Sequence, residues 1–472
     1  MSTATTAAPA AETATTPDIP SRVQHLRAAF RTGRTRPMAW RREQLKRLIK
    51  LLRENEEQVL AALKADMGKP MVEAYAGEVG LLLAELRHML DRLSKWLAPE
   101  KVSTPLHSQL GKSLIYREPL GVVLVIAPWN YPLQLALLPM AGAIAAGNCV
   151  LLKPSEISAH TSQLLGELVP RYLDPECVAV VEGGVAETTA LLEERFDHVF
   201  FTGSTSVGRI VYQAAARHLT PVTLELGGKS PCLVDRDVDL EVAARRIVWG
   251  KFFNAGQTCV APDYLLVERS TEAPLLEQMQ KVLGEFYGAD PKASPDFARI
   301  VSDRHFQRLL GLIGDEEVVA GGKAQADASE RYIPPTILRD VSPEARIMSE
   351  EIFGPILPVL SVPDLEAAIE FVNERPKPLA LYVFSRDKAR AQRVLDATSS
   401  GGACVNDVIG HLAIPDLPFG GVGESGIGAY HGRDSVDTFS HRKSVLHRST
   451  LLDVKLRYPP YADLKWIKRL LG

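Results

Sequence analysis

Two residues in this sequence have the types and spacing to act together on an electrophile. Cys259 ends the stretch 254–259 (NAGQTC), whose small and amide-bearing residues can place a thiol on an exposed turn. Glu225 lies thirty-four positions earlier, near the end of the apolar β-type run 221–226 (PVTLEL), and can project from a strand end into the same cleft. A thiolate is the working nucleophile, and a carboxylate can activate a water. Because most intracellular cysteines are inert small hydrophobic residues, the pair becomes informative only through the rest of the chain.

Polar residues follow the ends of two further predicted strands. The run 121–132 (GVVLVIAPWNYP) reads as a buried strand ending in a turn with Trp129 and Asn130, and the strand 148–153 ends at Lys153, shortly before Glu156. Asn130 is either an ordinary turn residue or an amide that donates to an oxyanion, together with the backbone N–H of Cys259. Lys153 is either a snorkelling surface lysine or, with Glu156, a group that binds ribose hydroxyls.

Two loops have the composition of a nucleotide site. The loop 203–208 (GSTSVG) lies between a predicted strand and a predicted helix, where free helix N–H groups can bind a phosphate, although it lacks the GxGxxG spacing. In the stretch 350–355 (EEIFGP), Glu351 could bind a ribose while the ring of Phe353 lies against a nicotinamide. Each residue singly is better explained as structural, but together they supply the parts of one mechanism.

The elements that must position these residues alternate between strands and helices from residue 121 to residue 228. Such alternation predicts an open, doubly wound parallel sheet, whose ligands bind outside the carboxyl ends of the strands. A second α/β series runs from Pro231 and shows no repeat of the first. The fold class is therefore expected to be α/β, with two doubly wound domains. The helical layer at about 21–96 is expected to carry no chemistry.

The composition excludes several classes of function. The net charge is −3 with no basic block, so nucleic acid is not expected as a partner. The five cysteines show no CxxC spacing, which fits a reducing, cytoplasmic location, and the histidines include no HExxH pair, so no metal site is expected. The longest apolar run, 133–146, is too short to cross a bilayer, and residues 1–19 lack the features of a secretory signal.

Seven motifs occur in a fixed order along the chain: PWNYP, LLKPSE, FTGSTSVG, LELGGKSP, NAGQTC, EEIFGP and LPFGGVGESGIG. In this order they resemble the NAD(P)-dependent aldehyde dehydrogenase superfamily from about residue 22 onward. The short N-terminal region, NDVIGHL, the stretch 430–432 and the ending LRYPPY resemble its class 3 branch of fatty and aromatic aldehyde dehydrogenases, in the soluble bacterial or cyanobacterial form. The missing GxGxxG is typical of this family.

The resemblance implies a role for each matching residue. Cys259 would form a thiohemiacetal with the aldehyde, Asn130 would hold its oxyanion, and Glu225 would activate the water that hydrolyses the thioester. NAD or NADP would be the cofactor; Glu156 favours NAD, while the class 3 branch often uses both. The implied cofactor-binding residues are Trp129, Lys153, Glu156, Gly203, Ser204, Gly208, Leu226, Gly227, Glu351 and Phe353. An apolar substrate tunnel, suited to medium- or long-chain aliphatic, aromatic or apocarotenoid-like aldehydes, is expected from Tyr131, Trp249, Thr258 and Ile414.

The resemblance also implies a division of the chain and a homodimer whose arm bridges the subunits. The expected parts are a disordered tail (1–19), a cofactor-binding domain (20–100 and 121–225), a catalytic domain (226–436), a bridging arm (101–120 and 437–460) and a C-terminal helix (461–472). That last helix places Leu464, Ile467 and Leu471 on one face, near Trp466. It would cap the substrate funnel, touch a membrane surface or pack on its own domain.

Three other functions remain open at this point. A CoA-acylating dehydrogenase would pass the acyl group to CoA, but that chemistry has little use for Glu225. A cysteine hydrolase would need a histidine partner for Cys259, and no nearby motif supplies one. A non-catalytic relative would have little reason to keep Cys259, Glu225 and Asn130 together.

Overall fold

The computed structural model describes residues 18–451, 453, 458–461 and 464–471. Among these residues the strands form three sheets, two of them largely parallel and flanked by helices. The predicted α/β class is therefore confirmed. The predicted tail at 1–19 lies almost wholly outside the described residues; the first helix begins at Ile19, and the Asp18 carboxylate caps it by accepting from the Ser21 N–H.

The first sheet is built from the apolar runs that the sequence marked as buried strands. In spatial order its strands are β15 (Gly426–Ile427), β7 (Val222–Leu226), β6 (His198–Gly203), β3 (Val122–Ile126), β4 (Cys149–Lys153) and β5 (Val178–Val180). All neighbours are parallel except β15, which pairs antiparallel with β7. Every residue of β3 and β4 is buried, as expected for strands covered on both faces.

Helices cover this sheet, and the N-terminal ones form the predicted helical layer. They are α1 (Ile19–Arg31), α2 (Met38–Glu54), α3 (Glu56–Met67), α4 (Met71–Ala74), α5 (Leu81–Trp96), α6 (Gln134–Ala146), α7 (Ala159–Tyr172), α8 (Val185–Glu193) and α9 (Thr205–Ala216). Between α4 and α5 the chain makes a π-helical turn, Tyr75–Gly80. Such turns are rare in proteins, and many of those that are known lie at functional sites.

The second sheet belongs to the C-terminal half. Its strands, in spatial order, are β10 (Glu317–Ala320), β11 (Thr336–Arg339), β12 (Ile356–Val362), β9 (Tyr264–Glu268), β8 (Pro231–Val234), β13 (Ala380–Phe384) and β14 (Gly402–Val405). Its helices are α10 (Leu240–Phe252), α11 (Arg269–Tyr287), α12 (Asp303–Leu312), α13 (Leu365–Asn373) and α14 (Lys388–Ala397), whereas α15 (Gly432–Thr438) packs on α5 and α6 of the first half. The strands are parallel apart from the β10–β11 pair.

The two extended segments of the predicted arm pair with each other. β1 (Glu100–Val102), β2 (Gly111–Pro119) and β16 (Ser440–Arg448) form an antiparallel sheet in that order. The β2–β16 register runs from Gly111 opposite Arg448 to Pro119 opposite Ser440. The C-terminal helix, α16 (Leu464–Leu471), lies against the turn Leu106–Ser108 of this arm.

The amphipathic face expected for α16 includes the side chains of Trp466, Ile467 and Leu471, which lie outside the described residues. Within the described part of the chain, none of the helices combines the length and apolar character needed to cross a membrane.

Candidate active site

Parallel pairing brings the predicted polar strand ends to one edge of the first sheet. Ile126, at the end of β3, pairs with Lys153 on β4 and with Phe201 on β6, while Thr202 pairs with Glu225 on β7. Asn130 follows β3 in the turn before α6. The strand-end rule therefore predicted the neighbourhood of these residues correctly.

The loop before Cys259 is held in an unusual backbone conformation. Asn254, Ala255 and Gly256 all have positive φ, at 53°, 51° and 72°. Gly256 packs so closely on the carbonyl of Gly354 that a Cβ there would overlap it, which joins the NAGQTC loop to the EEIFGP loop. Positive φ is strained for Asn and Ala, so surrounding contacts must hold the loop in place.

Hydrogen bonds of the Gln257 side chain are part of the contacts that stabilise the loop. Its side-chain Nε2 donates to the carbonyls of Asn254 and Arg299, both at 3.0 Å, and its Oε1 accepts from the Val301 N–H at 3.0 Å. The Glu73 carboxylate, from α4, accepts from the backbone N–H of Asn254 at 2.9 Å. The motif residues Asn254 and Gln257 therefore fix the loop that carries the nucleophile.

Asn130 is joined to this loop directly. Its side-chain Nδ2 donates to the carbonyl oxygen of Gln257 at 3.1 Å, and it is almost fully buried. An asparagine amide carries two N–H groups, and this bond uses one of them. The other can serve a ligand beside Cys259.

Cys259 is half-buried and has a neutral thiol in this state. Burial raises the pKa of the Cys259 thiol to about 12, and the nearby Glu351 and Glu225 carboxylates raise that pKa further, while the N–H groups of Cys259 and Val260 oppose the shift. Within the described residues no hydrogen bond joins Cys259 to a histidine. Ionisation of the thiol therefore needs a proton acceptor or a positive charge in the pocket.

Glu225 is an unpaired buried carboxyl group. Neither of its side-chain oxygens has a hydrogen-bond partner, and only 3% of the residue is exposed. Burial raises the pKa of Glu225 well above its ordinary value of 4.5. A buried carboxyl group without a hydrogen-bond partner lowers the stability of the folded protein, and buried groups with shifted pKa values cluster at functional sites.

A cavity of about 390 Å³, here called the strand-end cavity, opens at the strand ends and contains both Cys259 and Glu225; charged and hydroxyl side chains interrupt its largely apolar wall. Seven of the predicted cofactor residues line it: Trp129, Gly203, Ser204, Leu226, Gly227, Glu351 and Phe353. Trp129 meets Phe353 edge-on, with ring centroids 5.2 Å apart. Burial raises the pKa of Glu351 to about 8, with the charge of Asp263 adding to the shift.

The composition of this cavity suits a dinucleotide. The N-terminus of α9, capped by Ser204, offers free N–H groups for a pyrophosphate. A Cβ at Gly227 would overlap the Glu351 carboxylate, so only glycine lets the two loops meet there. The aromatic walls suit a planar ring, and the Glu351 carboxyl group suits ribose hydroxyls.

Three predicted cofactor residues lie behind or beside this lining. Lys153 is buried at the end of β4 and pairs with Glu156, Nζ to Oε2, at 2.8 Å. Gly208 is inside α9, where a Cβ would stand 2.6 Å from Leu226 Cδ2, so it sets the approach of α9 to β7. The sequence motifs did not reveal His305 and Arg308, which also line the cavity; the ring of His305 packs 5.0 Å from that of Trp129.

A second cavity, of about 250 Å³ and almost entirely apolar, meets the first at Cys259. Tyr131, Trp249 and Thr258 line it as predicted, and the Tyr131 hydroxyl lies 2.7 Å from Thr258 Oγ1. Ile414 does not line it: that side chain is 49% exposed, and the wall is formed instead by the preceding residues of its turn. Further wall residues that sequence reasoning missed are Gly77, Leu81, Phe253, Ile409 and Leu412.

The segment expected to be only a structural layer also reaches the site. Lys69, Glu73 and Glu78, which lie between α3 and α5, contact the loops of Asn130 and Asn254. Charged residues on amphipathic helices are usually solvated, so nothing in their spacing marked them as buried.

Comparisons with known proteins agree with this geometry. The sequence profile of the aldehyde dehydrogenase family matches residues 3–445. The dimeric NADP-preferring aldehyde dehydrogenase of Rattus norvegicus is 53% identical over 440 residues, which cover 93% of this chain and 97% of that protein. Aldehyde dehydrogenase family 3 member A2 of Mus musculus is 50% identical over 453 residues, covering 95% and 93% respectively.

Solved structures give the same result. AldH of Staphylococcus aureus in a substrate-bound state superposes with a TM-score of 0.94 at 47% identity, covering 96% of this chain and 99% of that one. An indole-3-acetaldehyde dehydrogenase in complex with NAD+ gives 0.82 at 31% identity, covering 92% and 89%. The family, fold and enzyme class expected from the motifs are confirmed. This chain belongs to the aldehyde dehydrogenase family and is an oxidoreductase that acts on aldehydes.

Proposed function

We propose that the enzyme oxidises apolar aldehydes to carboxylic acids with NAD+ or NADP+, through a covalent adduct on Cys259. The observation that carries this proposal is the position of Cys259 at the junction of two cavities that differ in their polar groups. The strand-end cavity, whose wall includes Ser204, Glu351 and Arg308, suits a dinucleotide, and the almost entirely apolar cavity suits the hydrocarbon part of a substrate. An aldehyde in the second cavity presents its carbonyl carbon to the sulfur.

The first half of the reaction makes an alkoxide. The Cys259 sulfur bonds to the carbonyl carbon, and the thiol proton passes to a base in the pocket, for which the Glu225 carboxylate is available once ionised. The carbonyl oxygen becomes an oxyanion held by the free N–H of Asn130 and the backbone N–H of Cys259. Hydride can leave only from such a tetrahedral alkoxide, so the nucleophile and the oxyanion donors are needed before oxidation.

The residues around the strand-end cavity would hold the cofactor. Ser204 and the N-terminus of α9 would bind its phosphates, Glu351 a ribose, and Trp129 and Phe353 would flank the site. When bound, NAD(P)+ supplies the hydride acceptor. Relatives at about 50% identity include one named NADP-preferring, and one solved neighbour contains NAD+.

The second half of the reaction hydrolyses the thioester left on Cys259. Glu225 takes a proton from a water, whose oxygen attacks the acyl carbon; the carbon–sulfur bond then breaks and the acid leaves. The absence of any hydrogen-bond partner leaves both Glu225 oxygens available for that water. This argues against CoA as the acyl acceptor, because a water-activating base has little use there.

The cysteine hydrolase and the non-catalytic relative are also less well supported. A hydrolase would pair the thiol with a histidine, and the described residues show no such hydrogen bond. In a non-catalytic protein the buried, unpaired Glu225 would lower stability without any benefit.

The second cavity supports apolar substrates of medium or greater length, including aromatic ones. Its aromatic walls come from Tyr131, Trp249 and Phe253. For the cofactor, the Glu156 carboxylate is partly exposed and would repel a 2′-phosphate, whereas its ion pair with Lys153 weakens that repulsion. This combination supports use of both NAD+ and NADP+, with NAD+ favoured.

We also infer a homodimer assembled through the arm of β1, β2 and β16. The arm stands apart from the other two sheets, β16 is an edge strand, and the relative from rat is named dimeric. A cytoplasmic location and a weak membrane contact through α16 remain predictions. In its own subunit α16 lies against the arm, and none of its described residues lines the apolar cavity. Deleting residues 463–472 should therefore alter the preference for aldehydes of different chain length only if the helix of a partner subunit reaches the substrate funnel.

The proposal is tested by following NADH and NADPH at 340 nm with aldehydes from acetaldehyde to long-chain and aromatic ones, and by identifying the product. Cys259→Ala should abolish activity, whereas Cys404→Ala should not, because that half-buried cysteine lines neither cavity. Acid as the product supports the proposal. If reduced cofactor forms only when CoA is present, the enzyme catalyses the CoA-acylating reaction and the proposal is wrong.

A further inference from the structure

A buried ion pair lies directly behind Asn130. Lys69 follows α3, and Glu78 belongs to the π-helical turn Tyr75–Gly80. Lys69 Nζ and Glu78 Oε1 are 2.5 Å apart, and both side chains are completely buried. A buried ion pair is weak evidence for stability, because desolvation of two charges offsets most of their attraction. This pair therefore needs another explanation, and its contacts supply one.

Both partners bind the main chain of the segment that carries Asn130. Lys69 Nζ donates to the Asn130 carbonyl oxygen at 3.0 Å. Glu78 Oε2 accepts from the backbone N–H groups of Leu133 and Gln134, at 2.8 and 3.3 Å, where α6 begins. The pair thus holds the turn between β3 and α6 on both sides of Asn130.

Hydrogen bonds to both its main-chain and side-chain atoms restrain the orientation of Asn130. Its main-chain oxygen accepts from two donors, Lys69 Nζ and Asn254 Nδ2, each at 3.0 Å. Its side-chain Nδ2 donates a hydrogen bond to the carbonyl oxygen of Gln257 at 3.1 Å. Loss of the Lys69 bond would let the peptide after Asn130 rotate, and the amide would then move away from the carbonyl carbon that Cys259 attacks.

We propose that Lys69 and Glu78 are positioning residues that aim the Asn130 amide at the oxyanion. This inference rests on the proposed role of Asn130. Neither residue lines the two cavities, so neither contacts substrate or cofactor. Lys69 Nζ also lies 4.3 Å from the centre of the Tyr131 ring, and the double-mutant cycle described below separates an effect through that ring from an effect through Asn130. A displacement of about 1 Å at such a site lowers the rate by about 100-fold.

The test uses the full-length enzyme with hexanal and saturating NAD+. Lys69→Met and Glu78→Gln are combined, so that no unpaired buried charge remains. The expected result is a kcat reduced by about 100-fold with KM changed by less than about threefold. Arg390→Met combined with Asp235→Asn is the matched control, because it also removes both charges of an ion pair with a buried carboxylate, 2.6 Å apart, and neither residue lines a cavity. Its kcat should be unchanged.

A double-mutant cycle separates positioning from general disruption. In an Asn130→Ala background, the K69M/E78Q pair should lower kcat by less than about twofold, because the group it positions is gone. An equal loss in both backgrounds, or no loss in the wild-type background, would overturn the proposal. If Asn130→Ala itself leaves kcat intact, it is the oxyanion role of Asn130 in the proposed function that fails.

A second variant covers the case in which K69M/E78Q does not fold. Lys69→Gln with Glu78→Gln keeps a donor opposite an acceptor in the same buried site. The proposal is supported if this variant loses less kcat than K69M/E78Q would, and if the loss is seen with Asn130 in place but not in the Asn130→Ala background. Full activity with an unchanged Tm would overturn it, since the shorter side chain cannot hold the Asn130 carbonyl in the same place.

Discussion

The side-chain amide of Asn130 is hydrogen-bonded to the main-chain oxygen of Gln257, two residues before Cys259. Asn130 follows a strand of the first sheet, whereas Gln257 belongs to the loop that enters the second one. The bond therefore sets the distance between an oxyanion donor and the nucleophile across the boundary of the two halves. The geometry of the reaction depends on both halves being folded against each other.

Replacing Asn130 with aspartate should leave the shape of the turn but remove the donor. A carboxylate would repel the alkoxide, and we expect kcat to fall by about 10²–10³-fold with little change in KM. Steady-state kinetics with hexanal check this. Asn373→Asp is a suitable control, because that amide bonds a carbonyl on α14 at the surface. Equal kcat in the wild type and the Asn130 variant would contradict the oxyanion role.

The pH dependence of turnover should follow the buried carboxyl group of Glu225. Burial raises its pKa well above 4.5, and only the ionised form can take a proton from water, so kcat should rise with pH through the raised pKa. In Glu225→Gln we expect turnover slowed about 10²–10⁴-fold, because both the thiol and the attacking water lose their base. A burst of reduced cofactor should appear at high pH, where hydroxide can replace Glu225 as the base for the thiol and the thioester then accumulates. Rapid-mixing absorbance at 340 nm measures both phases. A burst followed by turnover as fast as in the wild type would show that Glu225 does not act in hydrolysis.

The same residue should reduce the stability of the folded protein at neutral and alkaline pH. The folded state keeps a proton on Glu225 that the unfolded chain loses above pH 4.5, so stability falls as pH rises from 4.5 to the raised pKa. We expect Glu225→Gln to raise Tm by roughly 1–3 °C at pH 8. The difference should vanish near pH 4. The exposed Glu370→Gln is the control, and a lower Tm for Glu225→Gln would contradict the argument.

Cofactor preference should respond to Glu156. Its carboxylate pairs with Lys153, and both lie near the end of β4. Glu156→Gln removes the charge that would repel a 2′-phosphate, so we expect the ratio of kcat/KM for NADP+ over NAD+ to rise roughly tenfold, about 1.4 kcal/mol. The effect should shrink at high salt, because the site is exposed to solvent. Glu167→Gln on α7 serves as the control; an unchanged ratio would place cofactor discrimination elsewhere.

The sequence predicted those parts of the site that follow from a general rule of parallel sheets. Asn130, Lys153, Gly203 and Glu225 end or follow adjacent strands, and such positions meet at one edge whatever the detailed packing. The resemblance to a known family then supplied the expected role for Cys259.

Other parts of the site could not be predicted, because they depend on side-chain directions that only packing decides. Lys69 and Glu78 look like solvated charges on a helical layer, yet they are completely buried. Ile414 was expected in the substrate tunnel, but a 3₁₀ turn over Gly410–Ala413 places Leu412 and Ala413 on the wall instead. Residue types alone do not show whether a charged side chain is buried, or which residues of a short turn face a cavity.

Substrate length should be controlled by Gly77, in the π-helical turn. A Cβ at this position would stand 3.2 Å from Tyr131 Cε1 and 3.4 Å from Phe253 Cε1, on the wall of the apolar cavity. A larger side chain must therefore extend into the space between these rings. In Gly77→Val we expect kcat/KM for dodecanal to fall roughly tenfold relative to that for propanal, as for a pocket that loses part of its volume.

The control for this prediction is Gly284→Val, because nothing lies within 4 Å of a Cβ built at Gly284 on α11. A uniform loss for both aldehydes in Gly77→Val would indicate disturbance of the Tyr131–Thr258 contact. An unchanged ratio of the two aldehydes would show that long substrates do not pass between Tyr131 and Phe253. A selective loss for dodecanal would identify the apolar cavity as the binding site of the alkyl chain.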